Sequence, residues 1–265
     1  MKEVAITAAY EAGHLMLEWR RKFPAGPAAM DYKDAKDVVT EVDTRAEAII
    51  MGYIQRNYPE HNILGEETGL SQGHPDSPYT WIVDPLDGTA NFAADLATSC
   101  VSIGLAKDDQ MVLGVVYNPF RDELFVAERG KGATLNGQPI HASHTATLAK
   151  ALVCFDLGYN EPVAVEMLRQ ATFFRPQVRS MRILGSAVLG LVNVAVGRFD
   201  LFYHSSLKPW DMAAALLICE EAGAAVTDNQ GQPASHLKPS IIATAKELHP
   251  LFMQQLESYR QQKTV

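Results

Sequence analysis

With 265 residues and 47% hydrophobic side chains, the chain can bury one large core or two closely packed subdomains. A formal net charge of −8 and a pI near 5.5 exclude nucleic acid as the main partner, because phosphate backbones are gripped by clustered Lys and Arg. An acidic chain can still hold a phosphorylated ligand, provided that bound cations supply the positive charge.

The first stretch is interrupted by Glu3, Glu11, His14 and Glu18, so it does not read as a signal peptide, and no later run is long enough to cross a bilayer. Val4, Ala8, Ala12, Leu15 and Trp19 recur at helical spacing and predict an amphipathic helix, stopped by Pro24, Gly26 and Pro27. The charged stretch from Asp31 to Lys36 has no periodicity and reads as a mobile loop whose Lys33 and Lys36 are candidates to approach a phosphate. A second helical stripe, Val42, Ala46, Ile49, Ile50 and Ile54, ends near Pro59.

From Trp81 the pattern changes to short β-branched runs bounded by Asp, Gly and Pro: WIVD, CVSIGLA and MVLGVVYNP read as strands. The segment ELFVAERGKGATLNGQPI continues this way, with Asn136-Gly137 as a hairpin turn. Beyond Leu148, strand-like ALVCFD alternates with helical EPVAVEMLRQ, SAVLGLVNVAVG and PWDMAAALLICEEAG, which suggests a second α/β layer. The expectation is one domain over 1–265 with subdomains near 1–147 and 148–265. Cys100, Cys154 and Cys219 are scattered and lack CxxC spacing, so neither a disulfide framework nor a zinc site is expected, and a reducing cytoplasm fits best.

The strongest chemical signal is Asp84-Pro85-Leu86-Asp87-Gly88-Thr89. A short apolar strand runs into two carboxylates, then into residues able to open a helix whose first N–H groups form a phosphate site. Pro85 is expected to make the chain leave the strand, and Gly88 to let backbone approach a ligand closely. Paired carboxylates aimed at a phosphate require cations between them, and oxygen-rich donors without His or Cys suit magnesium. Alone, the two aspartates are about equally well explained as helix caps or turn formers. Three further acidic segments shift that balance: Glu66-Glu67 after Asn62-Ile63-Leu64, Glu41 and Asp43 before a helix, and Asp211 opening another.

In order and spacing, GEE, WIVDPLDGTANF, VVTEVD and KPWDMAAALLICEEAG resemble the inositol monophosphatase family over almost the whole chain. The resemblance implies an α+β fold, a layered αβαβα sandwich of the inositol monophosphatase and fructose-1,6-bisphosphatase type. It also implies a homodimer, and a magnesium-dependent enzyme that hydrolyses small phosphate esters, with two or three ions per site and inhibition by lithium. Glu66, Asp84 and the Leu86 carbonyl correspond to ligands of one magnesium, Asp84, Asp87 and Asp211 to those of a second, and Glu66 reaches a third through water. Thr89, bonded to Asp43, corresponds to the pair that orients and deprotonates the attacking water, and Gly88 and Thr89 receive phosphate oxygens on their N–H groups.

Two residues between Asp84 and Asp87, rather than one, disfavour the D-x-D-x-T arrangement of phosphatases with an aspartyl nucleophile, so direct attack by water is expected. Gly185 and Ser186 resemble the family segment that contacts substrate hydroxyls, although Ser186 reads equally well as the N-cap of the helix that follows. At His204, seven residues before Asp211, the family typically carries a Glu that faces inositol hydroxyls. This departure leaves inositol monophosphate only narrowly ahead of fructose 1,6-bisphosphate, NADP, 3′-phosphoadenosine 5′-phosphate and histidinol phosphate. His141, His144, Arg175, Arg179 and Arg182 read as solvated surface. A regulatory or binding protein built on a phosphatase fold is the alternative of another class.

Overall fold

The computed structural model describes residues 1–22, 30–32 and 38–263, so Lys33 and Lys36 lie outside the described residues. Helix α1 (Lys2–Lys22) precedes a ribbon of β1 (Met30–Tyr32) and β2 (Val38–Thr40), followed by α2 (Glu41–Asn57). Strands β3 (Asn62–Gly65), β4 (Gly69–Ser71) and β5 (Tyr79–Asp87) lead through the short α3 (Thr89–Ala93) to β6 (Cys100–Lys107) and β7 (Gln110–Asn118). Then come β8 (Glu123–Glu128), β9 (Ala133–Leu135) and β10 (Gln138–Pro139). The rest alternates: β11 (Leu152–Phe155), α4 (Glu161–Phe174), β12 (Ser180–Arg182), α5 (Ala187–Ala195), β13 (Leu201–His204), α6 (Ala213–Glu221), β14 (Ala225–Thr227), β15 (Ile241–Thr244) and α7 (His249–Lys263).

Among the described residues, one sheet has the order β10-β9-β8-β7-β6-β5-β3-β4 and another the order β12-β11-β13-β15-β14. Helices α1 and α2 cover one face of the larger sheet, α5 and α6 fill the space between the sheets, and α4 and α7 cover the far face of the smaller one. This is the expected five-layer αβαβα sandwich. Strands buried on both faces read as continuous apolar runs, as in CVSIGLA, because each face needs its own hydrophobic set. Thus Leu113, Val115 and Tyr117 of β7 pack toward α1 and α2, while Met111 and Val116 pack toward α5 and α6.

Local signals explain most boundaries. Asn136 and Gly137, with φ of 49° and 77°, form the two-residue turn between β9 and β10, where Leu135 pairs with Gln138. Asn160 caps α4 by accepting from the Val163 amide. In α1 the buried stripe keeps the expected Ala8, Ala12 and Trp19 but is completed by Ala5, Ala9 and Met16, while Val4 and Leu15 sit half-buried on the flanks. Small residues let α1 lie close to α2 and the sheet, and that close approach outweighs the hydrophobicity of Val4 and Leu15. No described helix is long and apolar enough to cross a membrane.

Close packing also sets where α6 lies. A Cβ at Gly114 would come within 2.4 Å of the Ala214 carbonyl oxygen, and one at Gly104 within 3.1 Å of the Ala213 Cβ. Bare backbone on β6 and β7 therefore meets the alanine-rich start of α6. Asp211, two residues before the first residue of that helix, is thereby delivered toward the end of β5.

Candidate active site

Strand β5 does not stop at Pro85, as the sequence suggested, but runs on to Asp87. Asp84 pairs with Ser102 and Asp87 with Cys100, so two residues of β5, Pro85 and Leu86, stand opposite one of β6, Val101. Such a bulge leaves a position unpaired, and a proline tolerates it because it has no N–H to lose. The bulge has a chemical consequence. In a regular strand, residues three apart point to opposite faces, but one extra residue brings Asp84 and Asp87 to the same face.

Glu66 follows the end of β3, whose Gly65 pairs with Val83 of β5, so its carboxylate stands beside Asp84. Asp211 arrives from the turn before α6, its Oδ2 accepting from the Lys208 amide at 2.7 Å. From α2, Asp43 reaches Thr89: the Thr89 Oγ1 lies 3.1 Å from Asp43 Oδ1 and 3.0 Å from the Leu86 carbonyl oxygen. One hydroxyl proton cannot serve both acceptors. When Thr89 donates to Asp43, its lone pairs are free to accept from a third group. One turn further along α2, Glu47 accepts from the Glu67 and Thr68 amides and steadies the loop that carries Glu66.

Burial pushes Glu66 up to about 8, with the charges of Asp211 and Asp43 adding to it. Asp84 is raised well above the usual carboxylate range by burial and then by Glu66 and Asp87. Burial takes Asp87 to about 7 against the opposing hydrogen bond from Ser186, and takes Asp211 to about 6 against the Lys208 amide and charge. Like charges are thus crowded in a poorly solvated place. Among the described residues no three acidic, histidine or cysteine side chains converge on one point. Several of their oxygens are turned onto protein donors: Asp84 Oδ1 onto the Leu86 amide, and Asp87 Oδ2 onto the Ser186 hydroxyl and the Val188 amide.

Beside this cluster lies a cavity of about 550 Å³, bordered by Asp87, Gly88, Asp156, Ser186, His204 and Asp211. A larger groove of about 700 Å³, lined mainly by apolar side chains of α4 and β12, holds none of the acidic residues and offers no comparable chemistry. Gly88 has φ of 87°, and a Cβ there would meet the Thr98 carbonyl oxygen at 2.7 Å, so the backbone before α3 is open only because residue 88 is glycine. The first N–H groups of α3 have no partner inside the helix, as in any helix.

Both readings of Ser186 have a structural counterpart. Its Oγ accepts from the Leu189 amide at 3.2 Å and so caps α5, while its proton goes to Asp87, which leaves little of the hydroxyl for a ligand. Gly185 is exposed and stands over Asn91, whose amide donates to the Leu184 and Gly185 carbonyls and ties α3 to this turn. His204 lies inside the cavity wall, and burial takes its imidazole down to about 4, which keeps it neutral. His141, His144, Arg175, Arg179 and Arg182 are exposed, as expected. Asp156, Asn91 and Glu47 were not anticipated. The first had a visible signal, since ALVCFD is an apolar strand ending in Asp, just like WIVD.

The model of the family described as Inositol monophosphatase family matches residues 1–261. The chain is 41% identical over 240 residues to the inositol-1-monophosphatase of Synechocystis sp., covering 86% of this chain and 83% of that protein. It is 36% identical to Nus factor SuhB of Pseudomonas aeruginosa, covering 92% and 90%. The crystal structure of the extragenic suppressor protein suhB from Bartonella henselae superposes with a TM-score of 0.90 at 34% identity, covering 96% of this chain and 97% of that one. Over residues 1–261, therefore, this chain belongs to the inositol monophosphatase family, whose members are phosphoric monoester hydrolases.

Proposed function

We propose that the chain is a magnesium-dependent phosphatase of small phosphate monoesters, with inositol monophosphate as the first-ranked substrate. The observation that carries this reading is the β5 bulge, which sets Asp84 and Asp87 on one face beside Glu66, Asp211 and the Thr89–Asp43 pair. Crowded carboxylates of raised pKa suit a hard divalent cation, which favours oxygen donors. Glu66, Asp84, Asp87, Asp211 and the Leu86 carbonyl would hold two or three such ions once their oxygens turn from protein donors. Bound magnesium would supply charge to the phosphate and acidity to water.

The chain's own residues do the rest. Gly88 and Thr89 offer N–H groups to phosphate oxygens. With its proton on Asp43, Thr89 accepts a hydrogen bond from the attacking water and holds it in line, so that the water, rather than an aspartate, attacks phosphorus. Trapping a phosphoaspartate after a rapid quench would overturn that order. The deciding experiment is a phosphate-release screen at saturating magnesium with inositol monophosphates, fructose 1,6-bisphosphate, NADP, 3′-phosphoadenosine 5′-phosphate and histidinol phosphate. Release from an inositol monophosphate at the highest kcat/KM, inhibited by lithium, is the expected result.

A second reading rests on the relatives named Nus factor SuhB: a regulatory protein that retains the phosphatase fold. The complete set of Glu66, Asp84, Asp87, Thr89 and Asp211 supports the enzyme, because a scaffold needs none of it. Absence of magnesium-stimulated release across the screen would favour the regulatory reading. The family resemblance also supports a homodimer, which a light-scattering mass would test.

A further inference from the structure

Strand β6 lies against β5, and its register sets one polar side chain opposite each aspartate of the bulge: Cys100 opposite Asp87 and Ser102 opposite Asp84. Cys100 and Ser102 share the face turned to the core between the sheets, because Val101 and Ile103, on either side of Ser102, belong to the core under α1 and α2. At the first pair the polar hydrogen is already in use, with Cys100 Sγ 3.8 Å from Asp87 Oδ2. At the second it is not. Ser102 is 1% exposed, and its buried hydroxyl has no hydrogen-bond partner among the described residues.

A buried hydroxyl without a partner costs free energy, and its surroundings offer few ways to recover it. The direct neighbours of Ser102 on its face are Cys100 and Gly104 along β6, Val116 on β7 and Asp84 on β5. Glycine and valine side chains bring no acceptor, and the thiol is committed to Asp87. Asp84 is the one carboxylate in that set. Residues directly opposite each other in an antiparallel pair have Cβ atoms roughly 4.5–5.5 Å apart, so one rotation about χ1 carries the hydroxyl to a carboxylate oxygen. Asp84 has room for it. Its Oδ1 accepts from the Leu86 amide at 3.0 Å and it meets Glu66 through a further hydrogen bond, whereas an ionised carboxylate has about four lone-pair sites.

We propose that Ser102 is a positioning residue for the metal site: when Asp84 turns its oxygens to a cation, the Ser102 hydroxyl donates to Asp84 and fixes the orientation in which it binds. Donors to a metal-binding carboxylate hold its direction, and their loss weakens the hold on the metal. The proposal rests on the reading of Asp84 as a magnesium ligand, and adds to it a residue of β6 that acts through that ligand alone.

The test follows the melting temperature of the full chain as magnesium alone is titrated in from chelator, for the wild type, Ser102→Ala and Ser102→Thr. Alanine deletes the hydroxyl and threonine keeps it. The magnesium concentration at half the thermal shift is expected to rise about tenfold for Ser102→Ala and to stay within about threefold of wild type for Ser102→Thr. In chelator, Ser102→Ala should melt at or above the wild-type temperature, since it removes a buried group that has no partner there. A merely structural hydroxyl gives the opposite pattern, a lower melting temperature in chelator with the magnesium response unchanged. That pattern, or equal rises in the two variants, would overturn the role of Ser102 while leaving the metal reading intact. A wild-type chain with no magnesium shift at all would remove the metal reading first, and the role of Ser102 with it.

Discussion

At the end of β5, Asp84 and Asp87 each have an oxygen held by protein donors, yet they crowd against Glu66 and Asp211. At the ends of β11 and β13 the situation differs: Asp156 and His204 each keep one buried atom without a hydrogen-bond partner among the described residues. The first strand end concentrates negative charge, which a hard cation answers. The second leaves an acceptor on Asp156 and a donor on His204 unmet. Two neighbouring regions, both at strand ends, thus differ in what they leave unmet, and α5 with Ser186 joins them through Asp87.

The sharpest way to break this comparison is to weaken the charged half. Asp87→Asn and Asp211→Asn should each lower kcat roughly 10³-fold, the scale of losing a preorganised electrostatic contact, with the fold kept by circular dichroism. Near-native turnover in either would show that the cluster is not the metal site. Next, Thr89→Val keeps the shape but removes the hydroxyl between Asp43 and the Leu86 carbonyl, so kcat should fall about 10²-fold, while Thr89→Ser retains most of it. Equal rates for the two variants would remove Thr89 from the water-orienting role.

Gly114→Ala probes how Asp211 is delivered. Its new methyl group would press on the Ala214 carbonyl at the start of α6, so the chain should lose about 1–3 kcal/mol in urea unfolding. No change in the urea midpoint would mean that α6 can shift freely. The smallest effect is on pH dependence. Glu66 and Asp87 have folded values of about 8 and about 7, above their ordinary 4.5 and 3.8, so they favour the folded state fully below the ordinary values and lose that contribution as pH rises through the folded ones. In chelator, the melting temperature should fall between pH 5 and pH 8 by about 2–4 °C, the size of a roughly 1 kcal/mol change, and magnesium should flatten the slope. A profile that is flat in chelator would contradict the crowding of charge.

Much of the charged half was legible in the sequence because strand, turn and carboxylate lie within a few residues: WIVD leads directly to Asp84, and Asp211 stands at the start of a helical run. The role of Pro85 was not legible, because whether a proline ends a strand or sits in a bulge depends on the partner strand, and β6 is remote in sequence. The stripe on α1 was legible at Ala8, Ala12 and Trp19 but not at Val4 and Leu15, for a related reason: hydrophobicity marks a helix face, but the face that fits closest here is the one lined by alanine. Asp156 announced itself by the same strand-then-Asp pattern as Asp84. Without motif neighbours such as Gly-Thr, however, nothing local distinguished it from an ordinary turn residue.

The sequence by itself determined the family, through the motifs that resemble it, and with that resemblance the layered α+β architecture, while short-range spacing and periodicity marked the helices, the strands and the residue types available for chemistry. Only the tertiary structure decided which polar atoms are spent and which are left over. Thr89 finds Asp43 across 46 positions and Ser186 finds Asp87 across 99, and an atom's partner, or its lack of one, is a property of the packed chain rather than of any segment.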